Sequence, residues 1–289
     1  MRFVQLPDGS SLPALGLGTW RMGESRSRRR AEVGAVRDAI GLGYRLYDTA
    51  EMYGDGGAEE VLGEAVAAAL CEGAVAREAL CIVSKVYPHN ASRHGTIAAC
   101  ERSLRRLQLD HIDLYLLHWR GAHPLRDTVA AMRALVSAGK IRHWGVSNFD
   151  VDDLQELAEV DSAADPAASG CATNQVYYSL GERGPEFALL PSMRQHRMPL
   201  MAYSPIDQGR IALDPVLASI AAARGITAAQ LALAWVCSQP GVIAIPKAVD
   251  PQHLRDNRAA ADLQLSAEER LQIDRHFAPP QAKTPLAMI

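Results

Sequence analysis

Tyr44-Arg-Leu-Tyr-Asp-Thr-Ala-Glu-Met-Tyr-Gly54 is the stretch in which an apolar, aromatic-rich run ends abruptly in a carboxylate, Asp48. Tyr53 follows five residues later, ahead of a loop that contains Gly54 and Gly56. This pattern predicts a buried strand that ends at Asp48, with the following loop turning Tyr53 back over the carboxyl end of the strand. If the strand belongs to a closed parallel barrel, other apolar runs should recur and end in reactive side chains at one common face.

Eight short apolar runs alternate with helical patterns along the chain. They are Leu15–Gly18, Tyr44–Tyr47, Leu80–Val83, Leu114–Leu117, Arg142–Val146, Ala172–Thr173 with Val176, Leu200–Ala202 and Val242–Ile245. Pro124–Lys140 is one of the helical patterns between them, with Leu125, Val129 and Met132 on one stripe. Because such repeats favour βαβ units and 289 residues is an ordinary length for one barrel, we predict a (β/α)8 TIM barrel in a single domain, residues 1–289.

Segments outside the eight repeats predict additions to the barrel. Phe3–Leu6, a turn at Pro7-Asp8-Gly9 and Leu12–Leu15 have the alternation of an N-terminal β-hairpin, which we expect to cap one end of the barrel. Thr227–Gln239 and Ser266–Phe277 are amphipathic and predict two extra helices on the outside. The tail from residue 279 to residue 289 is predicted to be irregular, either closing over the site or trailing in solvent.

Charge and composition exclude several classes of partner. A formal net charge of -3 and a pI near 6.3 give no general attraction to polyanions, so we expect neither nucleic acid nor an anionic membrane as a partner. The one basic cluster, Arg26 with Arg28, Arg29 and Arg30, is interpreted as a solvated helix start. Five scattered cysteines without a C-x-x-C pattern favour a reducing compartment, and the N-terminal residues lack an apolar signal segment. We therefore expect a cytoplasmic protein, and we expect a monomer because no exposed apolar stripe stands out in the sequence.

Polar or ionisable residues follow all eight apolar runs. They are Thr19, Asp48, Ser84 with Lys85, His118, Ser147 with Asn148, Asn174 with Gln175, Tyr203 with Ser204, and Pro246 with Lys247. A single histidine or lysine at the start of a loop is more often a solvated side chain than part of a site. In a parallel barrel, however, all strand ends lie on one rim, so Asp48, Lys85 and His118 are expected to be neighbours.

Tyr53, Lys85, Asp48 and His118 together predict a proton-transfer site. A free tyrosine has a pKa of about 10, and an ammonium beside the phenol favours phenolate. We therefore expect Lys85 to lower the pKa of Tyr53 toward neutrality, and Asp48 to keep Lys85 charged and oriented. Tyr53 would be the proton donor, while a neutral His118 orients a substrate oxygen. Carbonyl reduction needs such a donor, because hydride arriving at carbon leaves an alkoxide-like oxygen.

The hydride is expected to come from a nicotinamide cofactor that is bound without a Rossmann motif. Gly16-Leu-Gly18 is not followed by the third glycine of that motif, and it lies in a first barrel strand. The remaining strand ends offer suitable groups, namely Asn148 and Gln175 for the carboxamide, Tyr203 for stacking under the ring and Lys247 for a phosphate.

The ordered motifs of the chain are similar to those of the aldo-keto reductase superfamily. The matching segments are Gly16-Leu-Gly-Thr-Trp20, Asp48-Thr-Ala-Glu-Met-Tyr53-Gly, Ser84-Lys85, Asp113-Leu-Tyr-Leu-Leu-His118-Trp, Gly145-Val-Ser-Asn-Phe149, Asn174-Gln175-Val, Ala202-Tyr-Ser-Pro205, Ile245-Pro-Lys247 and Asp256-Asn257. They occur in family order and extend over nearly the whole chain. The resemblance implies that Asp48, Tyr53, Lys85 and His118 are the catalytic residues of an NADP(H)-dependent reductase of aldehydes and ketones.

The resemblance also implies a set of cofactor contacts. They are Thr19, Trp20, Asp48, Ser147, Asn148, Gln175, Tyr203, Ser204, Pro205, Ile206, Gln208, Lys247, Ala248, Val249, His253, Asp256 and Asn257. Two positions depart from the family pattern, because Ala248 stands where a hydroxyl residue is common and His253 where many members have an arginine. NADPH is the expected cofactor, with NADH as the alternative.

An aromatic wall is expected around the substrate. Trp20, Tyr87 and Trp119 should line the pocket together with His118, which suits small aldehydes or dicarbonyls such as methylglyoxal. Only five residues separate His118 from Pro124, which is too short a loop for the walls of a steroid site.

Two other classes of function remain open. A cofactor-binding regulatory subunit would bind NADPH with little turnover, and a steady-state assay with simple aldehydes separates it from a reductase. A metal-dependent barrel hydrolase would use Asp48 and His118. No His-x-His follows the first strand, and the positive charge of Lys85 opposes a divalent ion, so no metal is expected.

Overall fold

The chain begins with an antiparallel hairpin, as predicted. Strand β1 (Phe3–Gln5) pairs with β2 (Ser11–Pro13), and the amide of Gly9 donates to the carbonyl of Leu6 to close the turn. Leu6 and Leu12 are buried against the apolar interior of the barrel described below. The hairpin therefore plugs one end of the molecule.

A ring of eight parallel strands forms the centre of the computed structural model, which describes residues 2–164 and 170–289. The strands are β3 (Leu17–Gly18), β4 (Leu46–Asp48), β5 (Cys81–Val86), β6 (Ile112–Leu117), β7 (Ile141–Ser147), β8 (Asn174–Tyr177), β9 (Leu200–Tyr203) and β10 (Val242–Ala244). Each pairs in parallel with the next in chain order. The amide of Gly16 donates to the Ala244 carbonyl at 2.8 Å and that of Gly18 to Pro246 at 3.0 Å, which joins the last strand to the first. The predicted (β/α)8 barrel is confirmed.

Helices cover the outside of this ring. They are α1 (Arg29–Gly41), α2 (Gly57–Cys71), α3 (Arg93–Leu107), α4 (Leu125–Ser137), α5 (Val151–Ala164), α6 (Leu189–Gln195), α7 (Pro215–Ala222), α8 (Ala228–Ser238), α9 (Pro251–Ala260) and α10 (Ala267–His276). Two helices follow β9, and α10 follows α9, so the two predicted extra helices are confirmed. Both α8 and α10 begin with a capping box, which stabilises a helix start by about 1 kcal/mol.

Two apolar layers explain why the strands carry the site at one end. Side chains on the outer face of the strands pack against the helices, whereas Leu46, Val83, Leu116, Met201 and Ile245 fill the inside of the ring. Side chains alternate between the two faces of a strand with a period of two residues. The residues two positions further along are Asp48, Lys85, His118, Tyr203 and Lys247, so they lie directly above this interior layer.

Several predicted strand ends are corrected by the structure. Strand β5 extends to Val86, so Ser84 and Lys85 lie within it rather than after it, and β8 begins at Asn174, so Asn174 and Gln175 open that strand instead of following it. Asp48, Ser147 and Tyr203 are likewise the last residues of their strands. The strands continue through these polar residues because strand pairing depends on backbone hydrogen bonds. Lys85 lies opposite Leu116, and Gln175 lies opposite both Ser147 and Met201.

The C-terminal tail is irregular, as predicted, and is bound to the rim. The ammonium of Lys283 lies 3.1 Å from the Asp150 carboxylate, Leu286 packs against the core, and the backbone of Ile289 reaches the Tyr203 hydroxyl. Within the two described ranges, no helix combines the length and the apolarity that crossing a bilayer requires.

Candidate active site

Lys85 is the centre of the site. Its side chain is completely buried, and its ammonium lies 2.7 Å from Asp48 Oδ2 and 2.9 Å from the carbonyl oxygen of Thr49. The same nitrogen lies 3.3 Å from the hydroxyl oxygen of Tyr53. A phenol, an ammonium and a carboxylate from three separate segments therefore meet at the end of the interior stack.

Tyr53 reaches this position because a tight turn follows it. Residues Tyr53–Gly56 form a 3-10 turn, in which Gly54 has φ 58° and Gly56 has φ 90°. A Cβ at Gly54 would lie 2.9 Å from the carbonyl oxygen of Met22, so a side chain there would push the turn away. The glycines after Tyr53 thus allow the tight turn that places its hydroxyl above the end of the strand.

His118 directly follows β6 and forms the opposite wall. Its ring is buried and lies edge-on to Tyr53, with 5.6 Å between the ring centroids. Burial, and then the nearby Lys85 ammonium, hold the pKa of His118 well below its usual 6.5. The imidazole is therefore neutral at physiological pH, and its Nδ1 atom has no hydrogen-bond partner among the described residues.

The expected effect on Tyr53 is corrected. Burial, and then the Asp48 carboxylate, hold the pKa of Tyr53 well above its usual value, so Lys85 does not bring it toward neutrality. Burial also lowers the pKa of Lys85, which Asp48 and then Glu59 oppose. Burial destabilises the phenolate form of Tyr53 and the ammonium form of Lys85, because both charged groups lose their contact with water. The sequence does not show how deeply either group is buried. Tyr53 consequently holds its proton at neutral pH.

The pKa of His118 predicts a loss of stability in acid. In the unfolded chain, His118 becomes protonated below about pH 6.5, whereas in the folded protein it stays neutral to a much lower pH. The free energy of unfolding should fall by up to about 1.4 kcal/mol per pH unit within that window from this group alone. Urea unfolding at a series of pH values checks this, because His118→Gln should show a smaller fall. An equal pH dependence in both proteins would contradict it.

Polar groups of three neighbouring strands form a connected rim beside the centre. Gln175 Nε2 donates to Asp48 Oδ1 at 2.7 Å, and the Ser147 hydroxyl donates to the Gln175 carbonyl at 2.8 Å. Asn148, in the left-handed region with φ 59°, receives the Tyr203 hydroxyl on Oδ1 at 3.0 Å. Asn148 and Gln175 are the residues that the sequence predicts for binding the carboxamide. The ring of Tyr203 lies at the same rim and is partly exposed.

The other expected cofactor residues line one side of the rim, from β9 across β10 to β3. Lys247 pairs with Gly18 in an isolated bridge, which brings it beside Thr19 and Trp20. Ser204, Pro205, Ile206 and Gln208 follow β9 in a loop with left-handed residues at Ser204 and Gln208. His253, Asp256 and Asn257 lie on α9, where Asn257 is buried and His253 is exposed. Ala248 is buried, and its methyl side chain offers no hydrogen-bonding group to a ligand.

Aromatic rings continue the wall above His118. Trp119 lies 4.8 Å from His118 between ring centroids and edge-on to Tyr87 at 5.2 Å. Tyr87 in turn stacks on His89 at 4.7 Å. Trp20 lies at the end of β3 with the guanidinium of Arg21 4.5 Å from its ring centroid. The structure thus brings Tyr87, Trp119 and His118 into one wall.

Several residues of the site were missed by the sequence analysis. The carbonyl of Thr49 accepts from Lys85, and a backbone group gives no sequence signal. Tyr177 stacks on Tyr203 at 5.7 Å, and its hydroxyl contacts Asp207. Tyr177 could have been found, because it follows Gln175 by two residues and so shares its face of the strand. In the described part of the chain, no three His, Cys, Asp or Glu side chains are grouped as metal ligands.

Comparison with known proteins identifies the family of this chain. The sequence model of the aldo/keto reductase family matches residues 14–278. The chain belongs to this family. It is 49% identical to methylglyoxal reductase YeaE of Escherichia coli, with 100% of this chain and 99% of that protein covered. It is 36% identical to glyoxal reductase of Bacillus subtilis, covering 94% of this chain and 91% of the relative.

Solved structures give the same result. An aldo-keto reductase from Klebsiella pneumoniae in complex with NADPH superposes with a TM-score of 0.91 at 49% identity, over 100% of this aldo/keto reductase and 99% of the Klebsiella chain. A Klebsiella pneumoniae structure with NADP and acetate also has a TM-score of 0.91, with 99% of both chains covered. The family assignment therefore rests on sequence and on structure together.

Proposed function

We propose that this aldo/keto reductase uses NADPH to reduce small aldehydes and dicarbonyls to alcohols, with Tyr53 as the proton donor. The observation that carries the proposal is the Tyr53 hydroxyl, held 3.3 Å from a completely buried Lys85 that is ion-paired to Asp48. The Klebsiella structures contain NADPH or NADP, and two relatives are named methylglyoxal and glyoxal reductases, which supports the cofactor and the substrate class.

The residues at the rim fit a nicotinamide dinucleotide. Ser147, Asn148 and Gln175 offer the hydroxyl and amide groups that a carboxamide requires, and Tyr203 presents an aromatic face. The exposed ammonium of Lys247 and the exposed ring of His253 lie further along the same side, where the phosphates would be held. The bound cofactor supplies a hydride to the carbonyl carbon of the substrate.

Tyr53 supplies the proton. Because burial keeps its pKa well above the usual value, the hydroxyl stays protonated at neutral pH and can donate a hydrogen bond to the carbonyl oxygen. As that oxygen becomes an alkoxide, it turns into a far stronger base than a phenolate and takes the proton. The resulting phenolate lies beside the Lys85 ammonium, whose charge stabilises it in surroundings of low dielectric.

His118 orients the substrate oxygen without competing for the proton. Its neutral ring faces Tyr53 edge-on, so a carbonyl between the two can receive a hydrogen bond from each. The Asn148 side chain donates to the His118 carbonyl at 3.1 Å, which fixes the backbone of this residue.

Lys247 is proposed to select NADPH over NADH by pairing with the 2′-phosphate. A hydrogen bond to a charged group contributes about 1.5–3 kcal/mol, so Lys247→Met should weaken NADPH binding by about tenfold or more and leave NADH nearly unchanged. Cofactor fluorescence gives both dissociation constants. Lys140→Met, an exposed lysine at the opposite end of the barrel, is the matched control. Equal weakening of both cofactors would exclude a role in phosphate recognition.

One steady-state experiment tests the function as a whole. Consumption of NADPH and of NADH is compared across methylglyoxal, an aromatic aldehyde and a sugar aldehyde. We expect NADPH to be preferred and the small dicarbonyl to have the highest kcat/KM. Tight NADPH binding without turnover of any carbonyl would instead favour a cofactor-binding regulatory protein.

A further inference from the structure

We propose that Glu51 and Glu59 are positioning residues that clamp the Tyr53 loop onto strand β5 and so fix the contact between Tyr53 and Lys85. The inference rests on the proposed role of Tyr53 as proton donor and extends it to two carboxylates that do not face the substrate. Glu51 precedes Tyr53 by two residues, and Glu59 follows it by six.

Glu59 ties the helix after the Tyr53 turn to the strand that carries Lys85. It lies in the first turn of α2 and is completely buried. Its Oε1 accepts from the Ser84 hydroxyl at 2.5 Å, and its Oε2 accepts from Arg106 Nε at 2.6 Å. Ser84 immediately precedes Lys85, so the bond anchors β5 from the outside while Lys85 points to the inside.

Glu51 ties the segment before Tyr53 to the loop that follows β5. Its Oε1 accepts from the backbone amide of Tyr87 at 2.7 Å and from Asn90 Nδ2 at 3.0 Å, and its Oε2 lies 3.3 Å from Arg102. The backbone amide of Glu51 also donates to the Lys85 carbonyl at 3.3 Å. The segment that carries Tyr53 is therefore bound to β5 on both sides of Lys85.

The two carboxylates share one support. Arg102 and Arg106 are four residues apart on α3, so they lie on the same face of that helix, and each pairs with one glutamate. The Glu59 pair is the more buried, with its carboxylate fully enclosed and Arg106 only 21% exposed. Removing the charge of one partner of such a pair leaves the other without compensation, so the geometry of the clamp depends on both glutamate–arginine pairs remaining intact.

Glu59 has a second effect that Glu51 lacks. Its carboxylate is bonded to the hydroxyl of Ser84, the neighbour of Lys85 on β5, and its negative charge favours the charged form of Lys85, where it acts after Asp48 against the cost of burial. Tyr53 and His118 are the other titratable groups that face Lys85, and both variants keep them. Loss of this charge should make Lys85 lose its proton at a lower pH. The alkaline limb of the pH–kcat profile is therefore expected to move to lower pH in Glu59→Gln and to stay in place in Glu51→Gln.

The test compares Glu51→Gln and Glu59→Gln with the wild-type enzyme and with Glu60→Gln. Glu60 is the neighbour of Glu59 on α2 and forms an exposed ion pair with Arg29 at 3.0 Å, so it is a matched control. A small displacement of a reacting group can cost up to about a hundredfold, and we expect kcat to fall by about tenfold in both clamp variants. The NADPH dissociation constant should remain within about twofold of the wild-type value, because the clamp lies away from the cofactor side of the rim.

Hydrogen exchange provides a readout that does not depend on turnover. Backbone amides of residues 49–57 should exchange faster in both clamp variants than in the wild-type enzyme, and as slowly as wild type in Glu60→Gln. Ser84→Ala keeps both ion pairs and removes only the bond from Glu59 to β5. It replaces Glu59→Gln in the test if that variant does not fold, and it should show the same faster exchange of residues 49–57. A wild-type protein that reduces no carbonyl overturns the proposed function, while the exchange data still decide whether the clamp exists.

The proposal would be overturned if the clamp variants differed from the wild-type enzyme only in a lower melting temperature. If kcat, its pH profile and the exchange of residues 49–57 are those of wild type in the folded variants, the two glutamates serve only general stability. Equal changes in Glu60→Gln would have the same meaning.

Discussion

Tyr53→Phe is expected to lower kcat by about 10²–10⁴-fold, because it removes the group proposed to transfer a proton to the substrate oxygen. The ring of the phenylalanine should keep its edge-on contact with His118, so the pocket keeps its shape. The dissociation constant for NADPH should change little, since the hydroxyl contacts Lys85 rather than the cofactor side of the rim. Steady-state rates with methylglyoxal and a fluorescence titration with NADPH measure the two quantities.

Tyr87→Phe is the matched control for this change. Tyr87 lies on the same wall and packs against Trp119, whereas the Lys85 ammonium lies over the ring of Tyr53, 4.9 Å from its centroid. The control should keep kcat within about threefold of the wild-type value, as expected for a group that takes no part in proton transfer. Turnover by Tyr53→Phe at the rate of this control would remove Tyr53 from the mechanism.

Lys85→Met is expected to damage both stability and activity. The substitution leaves Asp48 buried, 3% exposed, without the ammonium that compensates its charge. Breaking a buried pair by removing one partner typically costs about 3–5 kcal/mol, so the free energy of unfolding should fall by that order. Turnover should fall as far as in Tyr53→Phe, because nothing then stabilises the phenolate. Urea unfolding and steady-state assays measure the two losses.

The double variant Lys85→Met with Asp48→Asn separates these effects. A neutral asparagine needs no counter-ion and can still interact with Gln175, so much of the stability should return. Activity should not return, since the phenolate remains unstabilised. Recovery of turnover together with stability would mean that Lys85 serves only to balance Asp48.

The barrel was predictable because its pattern repeats along the chain. Each apolar run is short, each is followed by a helical pattern, and eight such units in about this length are typical of a closed parallel barrel. The same regularity predicted that Asp48, Lys85 and His118 would be neighbours, since parallel strands end on one rim. The strand limits at Ser84–Lys85 and Asn174–Gln175 were wrong, because backbone pairing continues through polar side chains that burial can accommodate.

The fine structure of the site was not predictable to the same extent. The sequence gives no measure of burial, which raises the pKa of Tyr53 where the proximity of Lys85 had suggested the opposite. It also gives no sign that Glu51 and Glu59 face Arg102 and Arg106, since charged residues on helices and loops are usually solvated.

Sequence by itself therefore determined which strand ends carry reactive side chains, because an alternation of two residues and a repeated βα unit are local properties of the chain. Tertiary structure alone decided how those side chains are held and protonated. Desolvation and ion pairing depend on segments far apart in the chain, and their distances and enclosure exist only after the barrel has closed.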